Sequence, residues 1–181
     1  MKDNPAKIVN NLHLETQIGK GAMGEVWKAR HIHTGATVAI KFLHQHTRQD
    51  NWALEAFQSE IRAAAVLTHP NAVMVLDHGI ITKNNANNAA RLHLQTGSPF
   101  LIMELVQGKS LKVFAGKMPW GRVKRIIHQL LSVLAHAHAR NVIHRDIKPE
   151  NVLIKLPDGD SSRPEAMLTD FGLAQALEDF R

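Results

Sequence analysis

The feature that most constrains this chain is the order of its two periodicities. Residues 12–43, "LHLETQIGKGAMGEVWKARHIHTGATVAIKFL", read as short strands parted by one glycine turn at 19–24 and a second at 33–35. "NWALEAFQSEIRAAAVL" (51–67) changes to helical spacing. Asn51 or Asp50 caps it, Leu54, Phe57, Ile61 and Ala64/Ala65 recur three to four apart, and His69-Pro70-Asn71 stops it. "AVMVLDHGII" and "PFLIMELV" return to strand character. Between them lies Asn-rich 82–98, expected as a lengthened exposed loop in which "ARLHL" extends a hairpin. The longest helical stripe comes last: in 118–141, Val123, Ile126, Ile127, Leu130, Val133, Leu134 and Ala137 line one face. Pro119 suits its first turn, and Asn141 the left-handed position after its end. "NVLIKLPDGDSSRPEAMLTD" then predicts two short strands around a polar turn. Strands with one helix followed by a mainly helical part make an α+β chain in two layers or lobes.

Composition removes several classes. The 181 residues suit one ordinary domain or two small lobes, and 44% apolar with 21% charged residues is a soluble globular balance. No cysteine is present, which excludes disulfides and thiolate metal sites and fits a reducing cytosol. The N-terminus lacks the apolar stretch of a secretory signal, and no run approaches the roughly 18 apolar residues of a membrane helix. The net charge of +6 comes from scattered Lys and Arg with only three Trp and six Phe, which points away from nucleic acid and toward a basic face for phosphorylated ligands. "HAHA" (136–139) invites a metal reading. On a helix, however, residues two apart diverge and ligand pairs want spacing four, so surface or packed histidines are expected there.

Three stretches carry chemistry. In "GKGAMGEV", Gly19, Gly21 and Gly24 let backbone N–H groups approach phosphate oxygens where a side chain would collide. A dinucleotide-binding turn would need a helix next. "EVWKARHI" and a second turn follow instead, so the glycines read as a flap between two strands, with a plain hairpin turn as the bland alternative. Lys41 in "VAIK" either aims its ammonium at a specific partner or decorates an edge strand. Glu60 on the following helix is the expected countercharge, with Glu55 second. "HRDIKPEN" (144–151) then sets Asp146, Lys148 and Asn151 in one loop after the long helix, with Asp170 of "LTDFG" further on. A base, a cation and two metal-binding oxygens are what phosphoryl transfer requires.

With these motifs in order, the chain from about Leu12 onward resembles the eukaryotic-type protein kinases. "IHRDIKPEN" is similar to the Ser/Thr branch, and "GKGAMGEVWKA" to the bacterial members. The resemblance implies a kinase-like fold: an N-terminal extension at 1–11, an antiparallel-sheet N-lobe with one helix at 12–104, and a partial helical C-lobe at 105–181. It implies ATP and Mg²⁺ as ligands and a protein Ser/Thr hydroxyl as acceptor, without nucleic acid or membrane span, in the cytoplasm. Gly19, Lys20, Gly21, Ala22 and Gly24 would cover the phosphates, and Ile18 and Val26 the adenine. Ala39 and Leu153 would line the same pocket, with Met103 as gatekeeper and the Glu104 and Val106 backbones reading the adenine edge. Lys41, held by Glu60, would bind the α- and β-phosphates. Asp146 would accept the hydroxyl proton, Lys148 would stabilise the transferring phosphoryl group, and Asn151 and Asp170 would bind Mg²⁺. Separate residues suit the last two tasks, because a carboxylate on a divalent ion is a poor proton acceptor.

Arg145 resembles the arginine that pairs with a phosphorylated activation loop. Yet no Ser, Thr or Tyr follows Thr169, and an A-P-E motif is absent. The resemblance therefore implies the N-terminal portion of such a domain, with weak peptide phosphorylation by the chain alone and a partner or further segment completing it. The competing reading is a nucleotide-binding or regulatory module that transfers no phosphate.

Overall fold

Two asparagines start the fold. Asn10 and Asn11 both hold positive φ (48° and 62°), as a two-residue type I′ hairpin requires, and turn β1 (Ile8–Val9) back onto β2 (Leu12–Lys20). These elements come from a computed structural model, which describes residues 8–21, 24–43, 61, 67–84, 94, 96–155 and 163–171. β2 continues into β3 (Gly24–His31) and β4 (Thr37–Leu43), the second turn being closed by Gly35 at φ 71°. In that turn the His31 ring accepts the N–H groups of His33 and Thr34 through Nδ1. With β5 (Val75–Ile80) and β6 (Pro99–Glu104) they form an antiparallel sheet in the order β1-β2-β3-β4-β6-β5. The strand expectations for 12–43, 72–81 and 99–106 are met.

The sheet register decides which side chains share a face. Trp27 pairs with Ile40 and Ile40 with Ile102, and Phe42 with Phe100, so these project to one side. There they join Leu12, Leu14, Ala29, Val38 and Ile81 in a continuous core. The Phe42 and Phe100 rings lie 6.3 Å apart at a 59° tilt, and burial of each is worth roughly 1.5–3 kcal/mol. Val26, Ala39, Lys41, Leu101 and Met103 consequently share the opposite face.

The chain divides into two units, Met1–Phe57 with Val75–Leu105, and Gln58–Met74 with Val106–Arg181. In the second unit β7 (Gly108–Ser110), β8 (Val152–Lys155) and β9 (Glu165–Leu168) form a small antiparallel sheet. α1 (Trp120–His138) packs Ile126, Val133 and Ala137 into one core with Val152, Ile154, Ala166, Leu168 and Phe171. Residues 69–73 group with this unit because Asn71 and Val73 are bonded to β9. The Leu168 N–H donates to Asn71 O (2.8 Å), and the Val73 N–H donates to Leu168 O (2.9 Å).

Two expectations need adjusting, and one at the end of α1 is met. Pro119 is the residue before α1 (φ −59°, ψ 143°) rather than part of its first turn, since its extended ψ does not continue a helix. Asn141 does take the left-handed position (φ 59°), with Val142 N–H on Ala137 O and Asn141 N–H on His138 O closing the end. Ile127 and Leu131 are exposed: at about 100° per residue, Ile127 turns away from the Ile126–Val133–Ala137 line. Most of the helix expected at 51–67 and most of loop 82–98 lie outside the described residues. No described helix is long and apolar enough to cross a membrane.

Candidate active site

In the first unit, Lys41 lies on β4 between β3 and β6, 7% exposed, which removes the edge-strand reading. It pairs with Val26 on one side and Leu101 on the other, while Ala39 pairs with Met103. Four of the residues expected at the nucleotide, Val26, Ala39, Lys41 and Met103, thus occupy one sheet face, opposite the Trp27–Phe42–Phe100 core. The resemblance implied this grouping, and the strand register is its physical cause. Glu60, Glu55 and Ala22 lie outside the described residues.

The glycine turn joins β2 to β3. Gly19 pairs with Val26 and Lys20 with Glu25, and the Gly21 N–H donates to Gly24 O at 2.9 Å. A Cβ on Gly19 would meet Val26 at an ordinary 3.5 Å, and one on Gly21 would meet nothing within 4 Å. Neither has a positive φ, so the protein's own packing does not demand glycine at these two positions. Ile18 is half exposed beside a register shift between Gln17 and Gly19.

The second unit holds the polar cluster. Asp146 Oδ2 accepts from Lys148 Nζ at 2.5 Å and from Asn151 Nδ2 at 2.9 Å. Asn151, 5% exposed, also donates Nδ2 to Asp146 O (2.9 Å). Both amide protons are thereby committed, which fixes the side-chain orientation and leaves Oδ1 as the atom able to ligate a cation. The Asn151 carbonyl accepts the Thr169 N–H (3.0 Å), tying the loop to the residue before Asp170. Asp170 and Arg145 both hold left-handed backbone, φ 63° and 62°. For Arg145 that conformation costs about 1–2 kcal/mol, a local strain the surrounding bonds maintain. Leu153 sits on β8 opposite Ser110 and Met167, and Val106 accepts the Gly108 N–H (3.0 Å) where the chain enters β7.

His144, which the motif contained but to which no role was assigned, organises this cluster. It is 1% exposed, and its Nδ1 accepts the Asp146 N–H (3.3 Å). Nε2–H therefore donates to Thr169 O (2.9 Å), and the ring packs on Phe171 with centroids 4.7 Å apart. Burial pushes its pKa below the ordinary 6.5, against the opposing pull of the Thr169 carbonyl and the Asp170 and Asp146 carboxylates. Ser110 was also missed; it caps the 3₁₀ turn Leu111–Phe114 by accepting the Lys112 N–H and donates to Pro149 O (2.9 Å). Neither shows in a periodicity, although the position of His144 two residues before Asp146 is a usable signal. His136 and His138 of "HAHA" diverge, one half-buried and one exposed.

The protein kinase domain model matches residues 12–180. Serine/threonine-protein kinase pkn3 of Myxococcus xanthus is 34% identical over 174 residues, which are 94% of this chain and 29% of that protein. PknA of Mycobacterium tuberculosis is 33% identical over 168 residues, 91% of this chain and 36% of its own length. The crystal structure of the Mycobacterium tuberculosis PknI kinase domain superposes with a TM-score of 0.70 at 27% identity, covering 94% of this chain and 63% of that one. The chain thus spans about a third of the length of these curated relatives.

Proposed function

This chain belongs to the protein kinase domain family, and we propose that it binds ATP with Mg²⁺ and carries the residues that pass the γ-phosphate to Ser or Thr hydroxyls of proteins. The observation that carries this reading is the Asp146 carboxylate, held by Lys148 and Asn151, with the Asn151 carbonyl bonded to the Thr169 N–H beside Asp170. One carboxylate is kept for a proton, and a separate amide oxygen and carboxylate are kept for a cation. The second pair, Asn151 Oδ1 and Asp170, is a hard-oxygen donor set of the kind Mg²⁺ takes. When bound, the ion supplies charge neutralisation on the phosphate oxygens.

Asp146 accepts the acceptor hydroxyl's proton. Lys148, already on the same carboxylate oxygen, stabilises charge on the transferring group and orients the base. In the N-lobe, residues 12–104, Lys41 holds the α- and β-phosphates with Glu60 as its partner. Gly19, Lys20, Gly21, Ala22 and Gly24 cover the phosphates. A glycine at 21 that the protein's own packing does not require supports close approach of a phosphate there. Ile18, Val26, Ala39, Met103 and, from the partial C-lobe 105–181, Leu153 contact the base, whose edge the backbones of Glu104 and Val106 read. The cysteine-free composition supports a cytoplasmic setting.

The test is transfer from labelled ATP with Mg²⁺ to a generic Ser/Thr substrate, with Asp146→Asn as control, alongside ATP binding by the same samples. Transfer, however slow, that the control abolishes supports the reading. Binding without any transfer assigns the chain instead to the nucleotide-binding modules.

A further inference from the structure

We propose that His69, packed on His136, forms a proton-sensitive latch that fastens residues 69–73 onto β9, closed when the His69 imidazole is neutral and opened by its protonation. The pair joins two elements of the second unit that are far apart in sequence, with ring centroids 5.2 Å apart at a 52° tilt. Its tautomers follow from its neighbours. The Asn71 N–H donates to His69 Nδ1 (3.0 Å), so the neutral His69 ring carries its proton on Nε2 and donates it to Ser132 Oγ (3.1 Å) on α1. Arg140 Nη1 lies 3.2 Å from His136 Nδ1, and a guanidinium only donates, so His136 also carries its proton on Nε2. That Nε2 is buried and has no hydrogen-bond partner among the described residues.

Each ring therefore has its vacant nitrogen facing a donor. A proton arriving at His69 Nδ1 would oppose the Asn71 N–H, turning a hydrogen bond into a donor–donor contact. His136 is the titratable group that acts on His69 through space, and Arg140 lies against His136. The carboxylate that β9 contributes, Glu165, is paired with Lys155. Nothing there compensates an imidazolium, and burial together with the neighbouring ring holds His69 below its ordinary pKa.

Asn71 is what the latch holds. Its Nδ2 donates to Ala166 O (2.8 Å), its carbonyl accepts the Leu168 N–H (2.8 Å), and Val73 N–H donates to Leu168 O (2.9 Å). Thr169 and Asp170 follow directly. Proton uptake at His69 thus loosens the strand that leads into Asp170, whether or not the chain transfers phosphate.

Hydrogen exchange of the full chain, read by mass spectrometry on peptides spanning 67–75 and 164–171 at about pH 5.5 and 7.5 and corrected for intrinsic rates, tests this. Both peptides should exchange severalfold faster at the lower pH. In His69→Asn the side-chain oxygen can still accept the Asn71 N–H but does not titrate, so the difference in 67–75 should largely vanish, leaving at 164–171 only what His144 contributes. Equal protection of the wild type at both pH values overturns the latch, as does a variant with undiminished pH dependence, which would transfer the effect to another group such as His144. Should the variant fold poorly, NMR titration of wild-type His69 decides: a midpoint below 6.5 supports the latch, and one at or above it overturns it.

Discussion

Replacing Asn151 by Asp keeps the shape and one ligating oxygen but exchanges both amide protons for a second carboxylate. The new oxygen would stand where Nδ2 now lies, 2.9 Å from Asp146 Oδ2 and 2.9 Å from Asp146 O. Two unit charges at that separation repel by about 6 kcal/mol at an effective dielectric of about 20. The molecule escapes the full penalty by binding one proton between the carboxylates. At pH 7 that proton costs about 1.36 kcal/mol for each of roughly 3 pH units above an ordinary Asp value, about 4 kcal/mol. The bond to Asp146 O, worth about 1 kcal/mol, is lost in addition. We expect a destabilisation near 5 kcal/mol at pH 7, falling to about 3 at pH 5.5. The sign follows from the shared proton: its folded-state pKa is raised, so its contribution is present at low pH and lost as pH rises. Asn151→Ala instead removes one neutral and one charge-assisted bond, about 2.5–4 kcal/mol at either pH. Urea unfolding by circular dichroism, with each variant measured against wild type at the same pH, separates the two. A cost for Asn151→Asp that does not change between the two pH values would refute the shared-carboxylate reasoning.

Two glycines should behave oppositely. Gly108→Ala drives a Cβ to 2.4 Å from the Ile154 carbonyl oxygen, a backbone clash expected to cost about 1–3 kcal/mol of stability, whereas Gly21→Ala should leave the unfolding midpoint unchanged and weaken ATP binding. Burial depresses His144 and His69 in the folded state, so wild-type stability should be complete above about pH 6.5 and decline as pH falls below it; a flat unfolding midpoint from pH 7.5 to 5.5 would contradict this. At Asn141, φ 59°, substitution by Ala should cost about 1 kcal/mol and substitution by Gly almost nothing, measurable by thermal unfolding.

What could be read in advance had local causes. The Gly and Asn positions marked turns that the backbone does take at Gly35 and Asn141, whereas the shared face of Val26, Ala39, Lys41 and Met103 was implied by the resemblance and is set by the strand register. β1 and β7 escaped because two or three residues carry no period, and both are held by pairing with partners. The bonds of Asn71 to β9 and the tilted ring contact of His69 with His136 were invisible because they join positions nearly a hundred and nearly seventy residues apart. No spacing rule reaches so far. The Asp146–Lys148–Asn151 cluster was legible as a motif, but the Asn151 carbonyl on Thr169 and the buried His144 that ties the loop toward Asp170 required three dimensions.

The most direct test is calorimetric titration of ATP into the full chain with and without Mg²⁺, repeated for Asp170→Asn. Mg²⁺ should tighten wild-type binding at least about tenfold, near 1.4 kcal/mol, and the substitution should remove this gain. ATP binding indifferent to Mg²⁺, or an Asp170→Asn chain that keeps the full gain, would contradict this.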